Sequence, residues 1–221
     1  MIDLEILRRM AIFSSLTNDE LVELSRIAIG RSLMPGKFVF REEDSPQYFY
    51  VIKEGRIKSI ISSSLGKELM VAFLGPGEII NPVSVFQDKC SAIGSMQAVT
   101  HTKILGFKKN EFVSFVHLNS KLSFEIIKIL AERMTELCYR LRDLAGERVE
   151  QRIARILLML SSRFGPTLIF TRQEIAEMVG TTTETAIRVL SQLKKKGIVD
   201  SLRGKIIIRD AAMLRLFIEE V

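Results

Sequence analysis

From Thr171 to Gly197 the chain reads TRQEIAEMVGTTTETAIRVLSQLKKKG, and its polar residues are spaced for reading nucleic acid. After Gly180 the apolar residues Ala186, Val189, Leu190 and Leu193 recur at helical spacing, so they share one face. Glu184, Thr185, Arg188 and Gln192 are left on the opposite face. A glutamate accepts from cytosine N4, and an arginine bonds O6 and N7 of guanine together. Thr171, Arg172, Gln173, Thr182 and Thr183 cluster around the turn and offer donors to phosphate, aided by helix N-termini. Lys194, Lys195 and Lys196 complement the negative end of the helix, and Lys195 is the candidate phosphate donor among them.

Two short helices must hold these groups. Thr171 with Glu174 three residues on is a capping box; Ile175, Met178 and Val179 form a buried face; Gly180 ends the helix in the left-handed conformation. Thr181 and Glu184 predict a second capping box, which completes a helix-turn-helix. Such a pair also occurs as a plain αα-corner in a core. The mixed polar face, the donors at the turn and the local charge argue against that reading. Residues 171 to 209 hold eight lysines or arginines against four acids. Past Gly197, Ile198–Val199, a turn at Leu202-Arg203-Gly204 and Ile206–Ile208 predict a two-stranded wing, with Arg203 and Lys205 at its tip.

The upstream chain has a different texture. Residues 14 to 29 read as a short helix capped by Thr17 or Asn18, with Leu21, Leu24, Ile27 and Ala28 inward. From Leu33 to Phe107, stretches such as KFVF, QYFYVIKEG, RIKSIISSSLGKELMVAFLGPGE and KILGF alternate with glycine turns, the mark of an antiparallel sandwich or barrel. A hairpin is predicted around Gly66. A long helix follows from Asn119 to Ala145, where Ile127, Leu130, Met134, Leu137, Leu141 and Leu144 step by threes and fours, a seam suited to a partner helix. Gly146 interrupts it as a hinge, and ERVEQRIARILLMLSSRFG is a new amphipathic helix ended at Gly165-Pro166. The expected architecture is α+β: a β domain over 1–118, a dimerisation helix over 119–145 and a winged helix-turn-helix domain over 146–221.

Composition bounds the function. The chain has 221 residues, 47% of them hydrophobic, and a formal charge of +6, which favours an anionic partner. Its two cysteines, Cys90 and Cys138, make no disulfide framework. MIDLEILRRMAIF mixes charges among its apolar residues and is not a signal peptide, and no uninterrupted apolar run is long enough to span a bilayer. A reduced, cytoplasmic setting without membrane contact is expected. With two histidines and no nucleophile–base spacing, metal cluster or phosphate-cradling loop, catalysis is not expected.

This order of parts resembles the CRP/FNR family, the relatives of the cyclic-AMP receptor protein. The resemblance is carried by TRQEIAEMVG, TETAIRVL and GPGE at Gly75–Glu78, and it extends over nearly the whole chain. It implies a β-roll of the jelly-roll, cyclic-nucleotide-binding-like kind, a homodimer on palindromic promoter duplex DNA, and base reading by Glu184 and Arg188. Thr183 stands where the receptor protein has a further arginine, and Ile187, where relatives have glycine or serine, is suited to a thymine methyl. The expected half-site is related to theirs but altered, and still contains G·C.

The same resemblance places an effector pocket at Ile80, Asn81, Pro82, Val83, Ser84, Ala92, Ile93, Leu137 and Cys138. Members that bind cyclic AMP carry Gly-Glu-Leu and then Arg-Ser or Arg-Thr where this chain has Asn81-Pro82-Val83 and Ala92-Ile93. A buried phosphate without its cation is costly, so cyclic AMP is not expected. An iron-sulfur cluster needs about four cysteine ligands, more than this chain has. Haem stays open, with His101, His117, Cys90, Cys138 or Met96 as axial candidates, and so does an unknown small organic effector. Cys138 reads as a buried, inert thiol rather than a redox sensor. The stretch SSRFGPTLIF is shorter than the receptor protein's polymerase-contacting region, so contact with RNA polymerase through that surface is not expected, and activation through another surface and repression both stay open. An effector would shift the β-roll against the long helix near Leu137 and Cys138 and move the reading helices through the Ala145–Gly146 hinge. A ligand-independent architectural DNA binder is the remaining rival.

Overall fold

The computed structural model describes residues 2–62, 68–80, 82–87 and 91–219, with the backbone alone at 84, 143–145 and 219. The Gly66 turn, Asn81 and Cys90 fall outside it, as do the side chains of Ser84 and Leu144. Two compact units emerge: Met1–Ser62 with Val71–Thr135, and Ser63–Met70 with Glu136–Val221.

The first unit opens with α1 (Leu4–Arg8), a 3-10 turn (Ala11–Phe13) and α2 (Asn18–Arg26). Thr17 caps α2 in a capping box with Glu20. The helix predicted over 14–29 is shorter than expected, because Ala28 already starts strand β1 (Ala28–Leu33). There the antiparallel ladder from Ala28 opposite Phe107 to Leu33 opposite Thr102 overrides a helical spacing of Ile27 and Ala28. The strands β2 (Phe38–Phe40), β3 (Tyr48–Glu54), β4 (Ile57–Ser62), β5 (Glu68–Leu74), β6 (Ile79–Ile80), β7 (Ser95–Ala98) and β8 (Thr102–Lys108) follow, with the one-turn helix α3 (Val83–Phe86) between β6 and β7. They form two four-stranded sheets, in the orders β1-β8-β3-β6 and β2-β7-β4-β5.

Strand alternation divides the core in two. Tyr50, Ile52, Ile80 and Ile104 of one sheet pack against Val39, Phe40, Ile57, Leu74 and Met96 of the other. The reverse face carries Phe49, Val51, Leu105 and Phe107 and is covered by helical residues, including Leu7, Phe13, Leu24 and Phe112. β3 and β8 are therefore apolar on both faces, which gives them near-continuous hydrophobic runs. Phe49 stacks on Phe112 at 4.0 Å between ring centroids. Gly106 makes room for this layering: a Cβ there would sit 2.9 Å from the Tyr50 ring.

The helix α4 (Lys109–Leu118), which the sequence reading did not separate from the β domain, leads to the long helix α5 (Ser120–Gly146). In the first unit, Leu122 and Ile126 of α5 are fully buried, with Ile129 and Leu130 half-buried against the same core. Leu130, predicted to face a partner, thus packs on its own chain. The stripe that α5 leaves exposed is Phe124, Ile127, Met134 and Leu141, with Leu137 and Tyr139 beside it. Ala131 and Cys138 lie in the same threes-and-fours step and are exposed too. The thiol read from sequence as buried is thus exposed on this chain, because the register of the stripe brings Cys138 outward.

In the second unit α6 (Val149–Phe164) ends at Gly165 and is followed by β9 (Thr167–Leu168), α7 (Arg172–Val179), α8 (Thr183–Lys195), β10 (Val199–Leu202), β11 (Lys205–Ile208) and α9 (Ala211–Glu219). The wing gains a third strand, in the order β10-β11-β9. Gln151 at the start of α6 donates its amide to the Ile218 carbonyl of α9 at 2.9 Å. No helix among the described residues is long and apolar enough to cross a membrane.

Candidate DNA interface

The sharp turn between α7 and α8 follows from three residues. Thr171 caps α7: its hydroxyl accepts from the Glu174 amide at 3.1 Å, and the Glu174 carboxylate accepts from the Thr171 amide at 2.7 Å. Gly180 closes α7 with φ 67°, a conformation that glycine adopts without a Cβ clash. Thr182, one residue later than expected, then caps α8 by accepting from the Thr185 amide at 3.2 Å. The predicted capping box of Thr181 with Glu184 does not form. The cap shifted by one because Gly180 and Thr181 together span the turn, both donating to the Ala176 carbonyl. Glu184 is thereby spared from capping and stands exposed.

Packing fixes which way α8 faces. Ala186, Val189, Leu190 and Leu193 are at most 1% exposed, and burial of each of the three larger side chains contributes about 1.5–3 kcal/mol. Rolling the helix would expose all four, so Glu184, Arg188, Ser191 and Gln192 are held outward. Ile187, 39% exposed, is an apolar residue in the middle of that polar face. Ser191 belongs to the same face, and its spacing four residues after Ile187 was the available sequence signal for it.

The surrounding donors divide into committed and open ones. The Thr171 hydroxyl donates to Glu174 Oε2 at 2.8 Å, and Gln173 donates its amide to Glu177 at 2.9 Å. Half-buried Arg172 donates Nε to the Ser201 hydroxyl at 3.2 Å, linking α7 to β10. Ser201 as this anchor was missed, since nothing local in sequence pairs residues 29 apart. Thr182 and Thr185 share a hydroxyl contact of 3.1 Å, and Thr183 is half-buried. Lys195 in the last turn of α8 and Arg203 at the β10–β11 turn are both exposed. Asp200 is paired with Arg209 at 2.7 Å, so this acid of the wing is neutralised. The resulting surface offers one carboxylate and one guanidinium, Glu184 and Arg188, on the outer face of α8, flanked by cations. It suits base edges in a groove with phosphates on either side.

The predicted effector residues fall in both units. Ile80, Pro82 and Ala92 are buried in the first unit, and Val83 is half-buried at the start of α3. Ile93 turns outward at 62% exposure, while Leu137 and Cys138 belong to the second unit and are exposed. Among the haem candidates, Met96 is buried in the β7 core, His101 lies 2.9 Å from the Ser32 hydroxyl, and His117 is exposed at the end of α4.

Residues 30–119 match the model of the cyclic nucleotide-binding domain, and residues 151–217 that of the Crp-like helix-turn-helix domain. The cyclic AMP receptor protein of Thermus thermophilus is 30% identical over 205 residues, 92% of this chain and 94% of that protein. The CRP-like cAMP-activated global transcriptional regulator of Mycobacterium tuberculosis is 26% identical over 219 residues, 95% of this chain and 97% of that one. The fold matches that of the c-di-GMP-responsive global regulator CLP of Xanthomonas campestris, with a TM-score of 0.78 at 20% identity, covering 88% of this chain and 100% of the other. The chain belongs to the CRP/FNR family of DNA-binding transcriptional regulators, whose members are not enzymes.

Proposed function

We propose that the protein acts as a homodimer on a palindromic promoter site, with Glu184 and Arg188 of each α8 reading base edges and an effector on the β domain setting the affinity. The observation that carries this reading is the orientation of α8, whose four-residue apolar face is buried while Glu184 and Arg188 are exposed. The exposed stripe Phe124, Ile127, Met134 and Leu141 supports pairing through α5, since a solvated apolar stripe of this length is stabilised by a second copy. Thr182, Thr183, Lys195 and Arg203 are the proposed phosphate contacts, and Arg172 and Thr171 hold the frame.

The effector is not cyclic AMP in this reading. The Ala92 side chain is buried and apolar, so this position supplies no cation to a buried phosphate. The ligand class that suits Ile80, Pro82 and Ala92 is a small, largely apolar molecule.

Fluorescence anisotropy against duplexes bearing an inverted repeat and against scrambled duplexes tests the DNA reading. At physiological salt the repeat is bound at least about 10³-fold more tightly. Equal affinity for both duplexes contradicts it.

A further inference from the structure

The long helix carries two arginines on one side, Arg133 and Arg140, two turns apart. Within the first unit, Arg133 donates Nη2 to the Ile79 carbonyl at 2.6 Å. Within the second, Arg140 donates Nη2 to two carbonyls at once, Met70 at 2.9 Å and Met178 at 2.7 Å. Both acceptors are backbone groups with a reason to be unsatisfied. Met70 lies in β5, the edge strand of its sheet, and its side chain is fully buried. Met178 lies in the last turn of α7, where helix carbonyls lack partners and the dipole favours a cation.

We propose that Arg140 is a positioning residue for DNA reading. Within the second unit it fixes the C-terminal turn of α7 onto the long helix and Met70, and so sets where the Gly180 turn delivers α8. Arg140 touches no base in this role; it acts through Met178, two residues before Gly180. This rests on the DNA-reading function proposed above. Charge-assisted bonds to carbonyls are stronger than neutral ones, and a half-buried guanidinium making two of them holds its acceptors closely.

The test uses the full chain and compares the wild type with Arg140→Gln and Arg140→Lys. Arg140→Gln is expected to lower affinity for the inverted repeat by about tenfold while affinity for a scrambled duplex changes less than about twofold. Arg140→Lys, with its charge on a shorter stem, is expected to recover only part of the loss. Hydrogen exchange at the Gly180 and Thr181 amides, both bonded to the Ala176 carbonyl, is expected to quicken in Arg140→Gln while the buried turns of α6 keep their protection. Equal loss on both duplexes with full recovery by lysine would mean that only the charge matters, and would overturn the proposal. Unchanged exchange at Gly180 and Thr181 would overturn it as well. A wild type without preference for the repeat would contradict the function instead, and the exchange result would then decide the role of Arg140 by itself. If Arg140→Gln does not fold, Arg140→Lys carries both measurements.

Discussion

Arg172 Nε lies 3.2 Å from Ser201 Oγ, so the first helix of the reading motif is tied to the wing by one side-chain bond. Sequence spacing offered Arg172 as a phosphate donor; the structure gives its guanidinium a neighbour within the protein. Ser201→Ala removes the bond and keeps the charge. It is expected to lower stability by about 0.5–1.5 kcal/mol, read from the urea midpoint, with little change in the salt dependence of DNA binding. An unchanged midpoint, together with a salt slope shallower by about one in Arg172→Ala, would assign Arg172 to phosphate instead.

The outward face of α8 predicts a positional pattern of specificity. Arg188→Ala should cost about 1–3 kcal/mol at one base pair and relax selectivity there, as measured by competition with single-substitution duplexes. Ile187→Ser should weaken the preference for thymine at the neighbouring pair, because it removes the apolar partner of the methyl group. A uniform loss across all duplexes in either variant would place that side chain away from base edges.

Lys195 and Arg203 are expected to act without regard to sequence. Lys195→Ala should weaken binding to specific and scrambled duplexes alike and lower the slope of log affinity against log salt by about one. An effect confined to one operator would remove Lys195 from the phosphate set.

The exposed stripe of α5 predicts how dimerisation fails. Leu141→Asp places two carboxylates in the paired interface and should raise the dimer dissociation constant by at least about 100-fold, measured by sedimentation, while the circular dichroism of the winged domain is retained. In a parallel pairing Cys138 faces its counterpart on the second copy, so a short bis-maleimide should link the wild-type chains through Cys138 and fail to link Met134→Asp. Linked Met134→Asp at the same yield would move the interface off this stripe.

What was legible in the sequence was what local chemistry dictates. The Thr171–Glu174 box, the Gly180 turn and the buried face of α8 all depend on residues within a few positions of each other, and each stands where the spacing put it. The second cap moved from Thr181 to Thr182, because where a short turn ends depends on backbone bonds that residue types do not display. Helical spacing extends α2 over Ala28 and Ile29, the first two residues of β1, because their partners Phe107 and Gly106 lie more than 70 residues on, beyond any local window. Leu130 lies on the seam by spacing, which has no view of the core beneath it; the structure half-buries it against the first unit, and the exposed stripe runs through Ile127, Met134 and Cys138. The backbone anchors of Arg140 and the Ser201 hydroxyl link residues distant in sequence, so pattern alone does not reach them.

In the proposed complex two copies of α8, related by a twofold axis, read two half-sites on one duplex. Selection from a random duplex pool, followed by measurement of the bound stoichiometry, tests it most directly. An enriched inverted repeat is expected, with half-site centres about one helical turn apart, roughly 34–36 Å, and two chains per duplex. Enrichment of a single unrepeated site bound by one chain, or no enrichment at all, would contradict it.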